Sequence, residues 1–539
     1  MSKMAEYGRC GMVSASREEA AQIGIEILQK GGNAFDAAAA VSLALSVCEP
    51  QMSGLGGGGF ATVHCAASNK NVFVDFREVA PGYAEPSIWA TDENGVLVND
   101  DKMLGGKSVC VPGTLAGICH ILKEYGTMPL HRIIEPAIQL AFDGYMVDSL
   151  LSGDIAAHIP EMKRFAEPGN VYLEKPWKKG DILKNPALGK TLSQIAENGP
   201  DAFYRSELTE KMIRSLNSHG ARFTAEDFAD YHVCEYEPLK GTYRGYDILS
   251  SPPPSSGGTH VLEGLNILEN FPLQSIPFQS SEHLHILSET LKMIFSDRAA
   301  YMGDPAFTQL PLNGLLNKSY ATQRAGNILY GRINIPAMGD PFAFESPNTT
   351  HFTVADQAGN LVSWTQTISQ FFGSGIVPQE TGIVMNCQMR GFAVGAGKAN
   401  SVAPGKKPLS SMSPSIMLKD GRPFAVLGSP GANRIISSVI QVISNLVDYK
   451  MNIVDAVLAP RVYNDTSNLF KYEMRCAREA VRLESLGQAC SAMQPFERFM
   501  GGVNAIELDE ADGMLGVADP RRNGAVVCCT PIYQVKTIV

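Results

Sequence analysis

Residues 34–48 run Ala-Phe-Asp-Ala-Ala-Ala-Ala-Val-Ser-Leu-Ala-Leu-Ser-Val-Cys, a helix-forming stretch with small side chains on every face. A helix of this composition has no polar side to offer water, so it must be packed on all sides, with a sheet against one of them. A run of glycines follows, Ser53-Gly-Leu-Gly-Gly-Gly-Gly59, and then two stretches with strand character, 60–65 and 72–76. A buried helix that passes through glycine into strands demands a layered mixture of helix and sheet.

The spacing Gly54-x-Gly56-x-x-Gly59 matches the dinucleotide fingerprint, but that motif follows a strand and opens a helix. Here the order is reversed, so the glycines are read as letting backbone pass close to a buried site. Upstream, Ser16-Arg-Glu-Glu19 has the form of a capping box ahead of apolar Ala20, Ile23, Ile27 and Leu28, with Gly31-Gly32 closing the helix. From about residue 110 to 340 the pattern is mostly helical, clearest at Leu284, Leu287, Leu291 and Ile294. The segment from Gly331 to Pro347, with prolines at 336, 341 and 347, reads as an exposed linker.

After that linker the character turns to β. Residues 349–356 alternate, 357–360 turn and 361–367 return, a hairpin whose pairing, centred on Ala358, sets Thr349 opposite Thr367. A second hairpin, 413–418 with 423–428 around Asp420-Gly421, leads into a helix marked by Ile435, Ile436, Val439, Ile440 and Ile443.

Several partners and engines are excluded. The 539 residues carry a net charge of −10 with no basic stripe, which argues against nucleic acid. No stretch of about 18 apolar residues exists and Met-Ser-Lys-Met-Ala-Glu-Tyr-Gly lacks an apolar core, so no membrane partner and a cytoplasmic location are expected. The 11 cysteines form no Cys-x-x-Cys pair, consistent with buried free thiols in a reducing compartment. There is no Gly-x-Ser-x-Gly elbow, His-Glu-x-x-His, Walker loop or zinc-type cysteine pair, and His283 and His285 cannot share a helix face; no metal and no cofactor is expected.

Two features remain: a strand opening with Thr349-Thr350 straight after the linker, and Gly428-Ser-Pro-Gly-Ala432 between a strand and a helix. Threonine is common in strands and Gly-Ser-Pro-Gly is common in turns, so each alone is ordinary. Together they allow a mechanism without histidine or metal. A cut before Thr349 would give it an α-amine, which titrates near pH 8 and can serve as general base for the residue's own hydroxyl. The N–H groups of Gly431 and Ala432 could hold the oxyanion formed when that hydroxyl attacks an amide.

On these residues the chain resembles the γ-glutamyltransferase (glutathione hydrolase) family of N-terminal-nucleophile hydrolases. The shared motifs run in family order: Gly31-Gly-Asn-Ala-Phe-Asp36, the 53–60 glycine segment, Asp75-Phe-Arg-Glu78, Val111-Pro-Gly-Thr114, Pro253-Pro-Ser-Ser-Gly-Gly258, Asp297-Arg298, Tyr301-Met-Gly-Asp304, Thr349-Thr-His351, Gly373-Ser-Gly375, Pro408-Leu-Ser-Ser-Met-Ser-Pro414, Gly428-Ser-Pro-Gly431 and Asp519-Pro-Arg521. The resemblance implies an α+β fold, a four-layer αββα sandwich formed jointly by two autoprocessed pieces. It implies self-cleavage between Asn348 and Thr349 into a large piece, 1–348, and a small catalytic piece, 349–539, that remain together as a heterodimer. Thr349 is then the nucleophile, Thr367 its hydrogen-bond partner, and Gly431 with Ala432 the oxyanion site, Ala432 standing where the family usually has glycine.

The resemblance also assigns Arg77, Ser410 and Ser411 to the substrate's α-carboxylate, for which Arg77 has the bidentate geometry. The family's ammonium-binding asparagine, glutamine and aspartate correspond here to Ser369, Gln388 and Gly391, so only the glutamine remains. Losing the carboxylate removes a charge-assisted bond worth about 1.5–3 kcal/mol, roughly a ten- to hundredfold weakening. Arg390, beside Gly391, adds positive charge. The loop 393–407 is shorter than the lid-bearing loop of enterobacterial members, implying an open cleft. The expectation is a cofactor-independent amidase for γ-glutamyl amides of the glutathione kind. The alternative is a lid-less amidohydrolase acting on another carboxylate-bearing amide, of the oxamate, poly-γ-glutamate or acyl-side-chain type. An uncleaved relative that merely binds acidic metabolites is the rival from outside catalysis.

Overall fold

The structure, a computed structural model, describes residues 3–335, 349–509 and 513–536. Its centre is a large antiparallel sheet of 13 strands among the described residues. One arm runs, in spatial order, Cys234–Tyr236, Lys70–Phe76, Gly58–Cys65, Leu361–Thr367 and Thr350–Asp356. The long strand Lys3–Ala15 joins it to the second arm: Met514–Ala518, Asn504–Leu508, Arg422–Gly428, Ser415–Lys419, Tyr246–Ser250 and Leu239–Tyr243. Residues 11–14 of the long strand pair with the first arm and residues 5–8 with the second, and the switch falls at Cys10 and Gly11, whose φ values are +68° and +130°. The strand Ala525–Lys536 pairs along most of its length.

The sheet curls so that its arms face one another. Ser363 donates to Leu427 O at 3.0 Å, Thr62 to Pro414 O at 2.8 Å and Asn504 to His351 O at 2.5 Å, each a contact between arms. Between them lies an apolar cluster built only from strand residues, among them Met12, Ala355, Leu361, Ile416, Val426 and Ile506. The outer face of the first arm is covered by Ala34–Cys48 and Thr114–Tyr125, with Leu130–Asp143 packed on the first of these helices. Gly257–Leu268 and Arg434–Val447 cover the second, with Ser281–Tyr301 packed on the first of them. The alanine-rich helix is buried at every position, as its composition requires, and Asn33 and Asp36 form a capping box at its start.

The hairpin that follows Thr349 has the expected register: Leu361 pairs with Ala355 and Gln366 with Thr350, centred on Ala358. In the second hairpin Asp420 and Gly421 take φ values of +51° and +75°, the geometry of a two-residue turn matched to strand twist.

Three expectations change. Ser16 caps nothing: the helix starts at Glu18 with Arg17 at its N-cap, and the Ser16 hydroxyl is drawn to Glu49 (2.7 Å) and Thr350 (2.7 Å), buried partners more than 30 residues away. The helical middle contains the hairpin Leu239–Tyr243 with Tyr246–Ser250. The cysteines are all free, yet Cys10 is exposed. Of the expected linker 331–347, residues 336–347 lie outside the described residues, as does Asn348.

Candidate active site

Thr349 stands at the head of the strand Thr350–Asp356, in the middle of the curled sheet, and is only 4% exposed. It opens onto a cleft of about 370 Å³. The register brings Thr367 alongside, and Thr367 lines the same cleft, its Oγ1 accepting from Ser369 N at 2.8 Å. Ser369 holds a φ of +82°, a strained setting for a residue with a side chain.

The glycine run explains how this site closes. A Cβ on Gly57 would fall 2.1 Å from Thr367 O, and one on Gly56 2.2 Å from Val384 O. These are backbone atoms, so only glycine lets the segment lie against the strand that carries Thr367. Gly57 O in turn accepts from the N–H groups of Gly113 and Thr114 at 2.8 and 3.0 Å.

Arg77, 2% exposed, reaches the cleft from the end of the strand Lys70–Phe76. Its Nε donates to Pro408 O (3.2 Å), its Nη2 to Leu409 O (3.1 Å) and its Nη1 to Glu78 (3.2 Å). Arg77 and Glu78 thus form a buried ion pair. Burial pushes the Glu78 carboxyl up against the opposing pull of Arg77.

Ser410 and Ser411 line the cleft on the segment that follows these carbonyls. Three serines from the Pro-Ser-Gly turn pin that segment: Ser256 donates to Ser410 O (2.6 Å), and Ser251 and Ser255 donate to Met412 O (2.8 and 2.6 Å). Gly257 permits the approach, since a Cβ there would sit 2.5 Å from Ser411 O. Arg298 donates to Ser256 Oγ (2.7 Å) and Ser411 Oγ (2.9 Å), and Ser411 donates to Asn433 Oδ1 (3.0 Å). Asn433 follows Ala432, so Ser411 links the expected carboxylate clamp to the expected oxyanion loop.

In that loop Gly431 has a φ of +126° and Ala432 one of +52°. Ala432 lines the cleft; Gly431 sits beside it without lining it. Neither N–H enters a backbone hydrogen bond among the described residues. Gln388, Ser369, Arg390 and Gly391 line the remaining wall, with Gln388 donating to Glu78 at 3.5 Å and Arg390 to Gln370 at 3.3 Å. Among the described residues the lining holds two arginines and no carboxylate. No group of three or more His, Cys, Asp or Glu residues is placed to hold a metal, and no helix is long and apolar enough to cross a membrane, again among the described residues.

The structure thus brings together every expected substrate and catalytic residue except Gly431, one step away, and Asn348, which lies outside the described residues. Sequence reasoning missed the working parts of Ser256, Arg298, Glu78 and Asn433. Ser256 and Arg298 stand within motifs that carried the resemblance, but their convergence on Ser410 and Ser411 needs the tertiary fold.

Thr349 thus heads a central strand of a curled antiparallel sheet, buried, lining one cleft with Thr367 and facing an arginine-serine wall. The gamma-glutamyltranspeptidase family description matches residues 20–529, and the chain belongs to that family. A glutathione hydrolase proenzyme of Bacillus subtilis (strain 168) is 38% identical over 547 residues, spanning 97% of this chain and 92% of the relative. An acylase proenzyme of Pseudomonas sp. (strain SE83) is 37% identical over 529 residues, spanning 96% and 94%. The crystal structure of cephalosporin acylase from Bacillus halodurans superposes with a TM-score of 0.87 at 28% identity, covering 97% of this chain and 96% of that one.

Proposed function

We propose that the chain is an autoprocessing amidase that hydrolyses, or transfers to an amine, the γ-glutamyl group of glutathione-like amides. The observation that carries this is the meeting of Thr349, Thr367, Arg77, Ser410, Ser411 and Ala432 around one cleft. The precursor is cut between Asn348 and Thr349, and the pieces 1–348 and 349–539 stay together as a four-layer αββα sandwich. The freed α-amine, with a pKa near 8, takes the proton of the Thr349 hydroxyl as its oxygen attacks the amide carbon. The N–H groups of Gly431 and Ala432 hold the oxyanion, the C–N bond breaks, and the departing amine receives the proton. Water, or a second amine, then attacks the threonyl ester and frees the enzyme. Thr367 orients the nucleophile, and Arg77 with Ser410 and Ser411 grips the α-carboxylate. The names of the glutathione hydrolase relatives support this choice.

A second reading is favoured by the lining itself. Ser369 and Gly391 offer an ammonium group no charge, and Arg390 repels it, so an acyl group with the carboxylate but no α-amine fits the same wall. The acylase relatives support it.

The experiment has two stages. Intact masses of wild type and Thr349→Ala are recorded after incubation at neutral pH; the wild type is expected as pieces ending at Asn348 and starting at Thr349, the variant as one chain. γ-Glutamyl anilide and glutaryl anilide, which differ only in the α-amine, are then compared. Faster cleavage of the first supports the glutathione-type activity, and cleavage of the second alone supports the amine-free alternative. An uncut, inactive wild type overturns both in favour of a binding role.

A further inference from the structure

Beside Arg390, which lines the cleft, stand two further cations outside its lining, Lys102 and Lys398. Arg390 is part of the wall and 8% exposed, Lys102 is half-buried and Lys398 is exposed. They come from three distant stretches of sequence, and hydrogen bonds hold those stretches together. Arg390 donates to Gln370 (3.3 Å), and Gln370 donates to Met103 O (3.0 Å), next to Lys102. Asn400 donates to Gly391 O (2.6 Å) and the Lys398 N–H to Ser401 Oγ (3.0 Å), which fixes the loop bearing Lys398 to the residue after Arg390. The Lys102 ammonium lies 5.5 Å from the Trp89 ring centroid. The acids next to it in sequence are engaged elsewhere: Asp100 pairs with Arg164, and Asp101 with Lys107 at 3.0 Å. Burial first, then repulsion from Arg390 and Lys398, lowers the Lys102 ammonium to about 8.

We propose that Arg390, Lys102 and Lys398 form a second carboxylate subsite, which receives the amine portion of the substrate when that portion is an amino acid or short peptide with a free carboxylate. This rests on the amidase function proposed above. The acyl group has to lie deep, against Thr349 and the buried Arg77, whereas the amine portion trails outward. The grading from buried Arg390 through half-buried Lys102 to exposed Lys398 matches that outward direction. An anion there meets positive charge at each depth, which strengthens encounter as well as binding.

The test uses two substrates that differ only at the far end, an acyl-leucine and the matching acyl-leucinamide, built on the γ-glutamyl or the glutaryl group, whichever the enzyme cleaves. The quantity read is the ratio of kcat/KM for the acid to that for the amide. In wild type at low salt it is expected at about tenfold, falling severalfold in about 0.5 M NaCl because exposed charges are screened. Lys102→Met and Lys398→Met each lower the ratio and the double variant brings it close to one. A wild-type ratio near one, or an unchanged ratio in the double variant, overturns the subsite. Cleavage of both substrates with no preference for the acid sinks the subsite alone. A chain that stays whole and cleaves neither sinks the amidase function and the subsite with it.

Discussion

Ser411 is committed in two directions, accepting from Arg298 and donating to Asn433. A substrate carboxylate that takes the Ser411 proton draws on the bond that steadies the residue after Ala432. Ser411→Ala is therefore expected to raise KM about tenfold or more, the loss of one hydrogen bond to a charged group. Asn433→Ala is expected to act mainly on kcat, because it loosens the loop proposed to hold the oxyanion; steady-state kinetics on the preferred anilide separate the two. Two histidines make a different prediction. Burial lowers His351, beside the nucleophile and 2.8 Å from Thr365 Oγ1, to about 3, and lowers His283 to about 4. Below the ordinary value of 6.5 the unfolded chain binds protons at these sites that the folded chain does not. Stability contributed by their neutral forms is thus complete above about pH 6.5 and is lost as pH falls toward 4, at up to about 1.4 kcal/mol per pH unit for each. Urea midpoints of the uncut Thr349→Ala chain between pH 7 and pH 5 should show the fall, and adding His283→Gln should flatten it.

Among the elements, two glycines separate clash from backbone strain. Gly421 has a φ of +75° and open space around it, so Gly421→Ala should cost about 1 kcal/mol. Gly57→Ala would drive a methyl against the carbonyl of Thr367, and should cost about 3 kcal/mol or more and disturb the nucleophile's partner. Chemical denaturation of both variants, made in the uncut Thr349→Ala chain, checks the contrast. The sequence made the nucleophile hairpin legible because alternation and a short turn fix its register locally, and the alanine-rich helix because its composition admits one environment. Ser16 was misassigned as a cap because its partner Glu49 lies on another helix end, invisible to local pattern. The hairpin Leu239–Ser250 was missed because Lys240, Tyr243, Arg244 and Asp247 blur its alternation. Thr349, Thr367, Gly431 and Ala432 follow from the hairpin register and the strand-to-helix turn, and the substrate residues from motif resemblance, whereas the supports from Ser256, Arg298 and Asn433, and the grouping of Lys102 and Lys398 with Arg390, exist only where distant segments meet.

At the scale of the whole molecule, the strands before and after Thr349 alternate across the sheet. Lys3–Ala15 lies between Thr350–Asp356 and Met514–Ala518, Leu361–Thr367 pairs with Gly58–Cys65, and Ser415–Lys419 pairs with Tyr246–Ser250. If the chain is cut before Thr349, the pieces should co-elute on gel filtration in native buffer and separate only in denaturant. Separation in native buffer would refute a jointly built sheet. The interleaving also gives the cut a direction in time. An intact chain has a single connected route into this arrangement, with loop closure confined within one molecule. Once severed, the same sheet can be rebuilt only by a bimolecular encounter between partners that each expose unpaired strand edges prone to self-association. The processed protein would then persist by the slowness of its unfolding rather than by repeated refolding, so its working lifetime is set by a rate, and each molecule folds productively once.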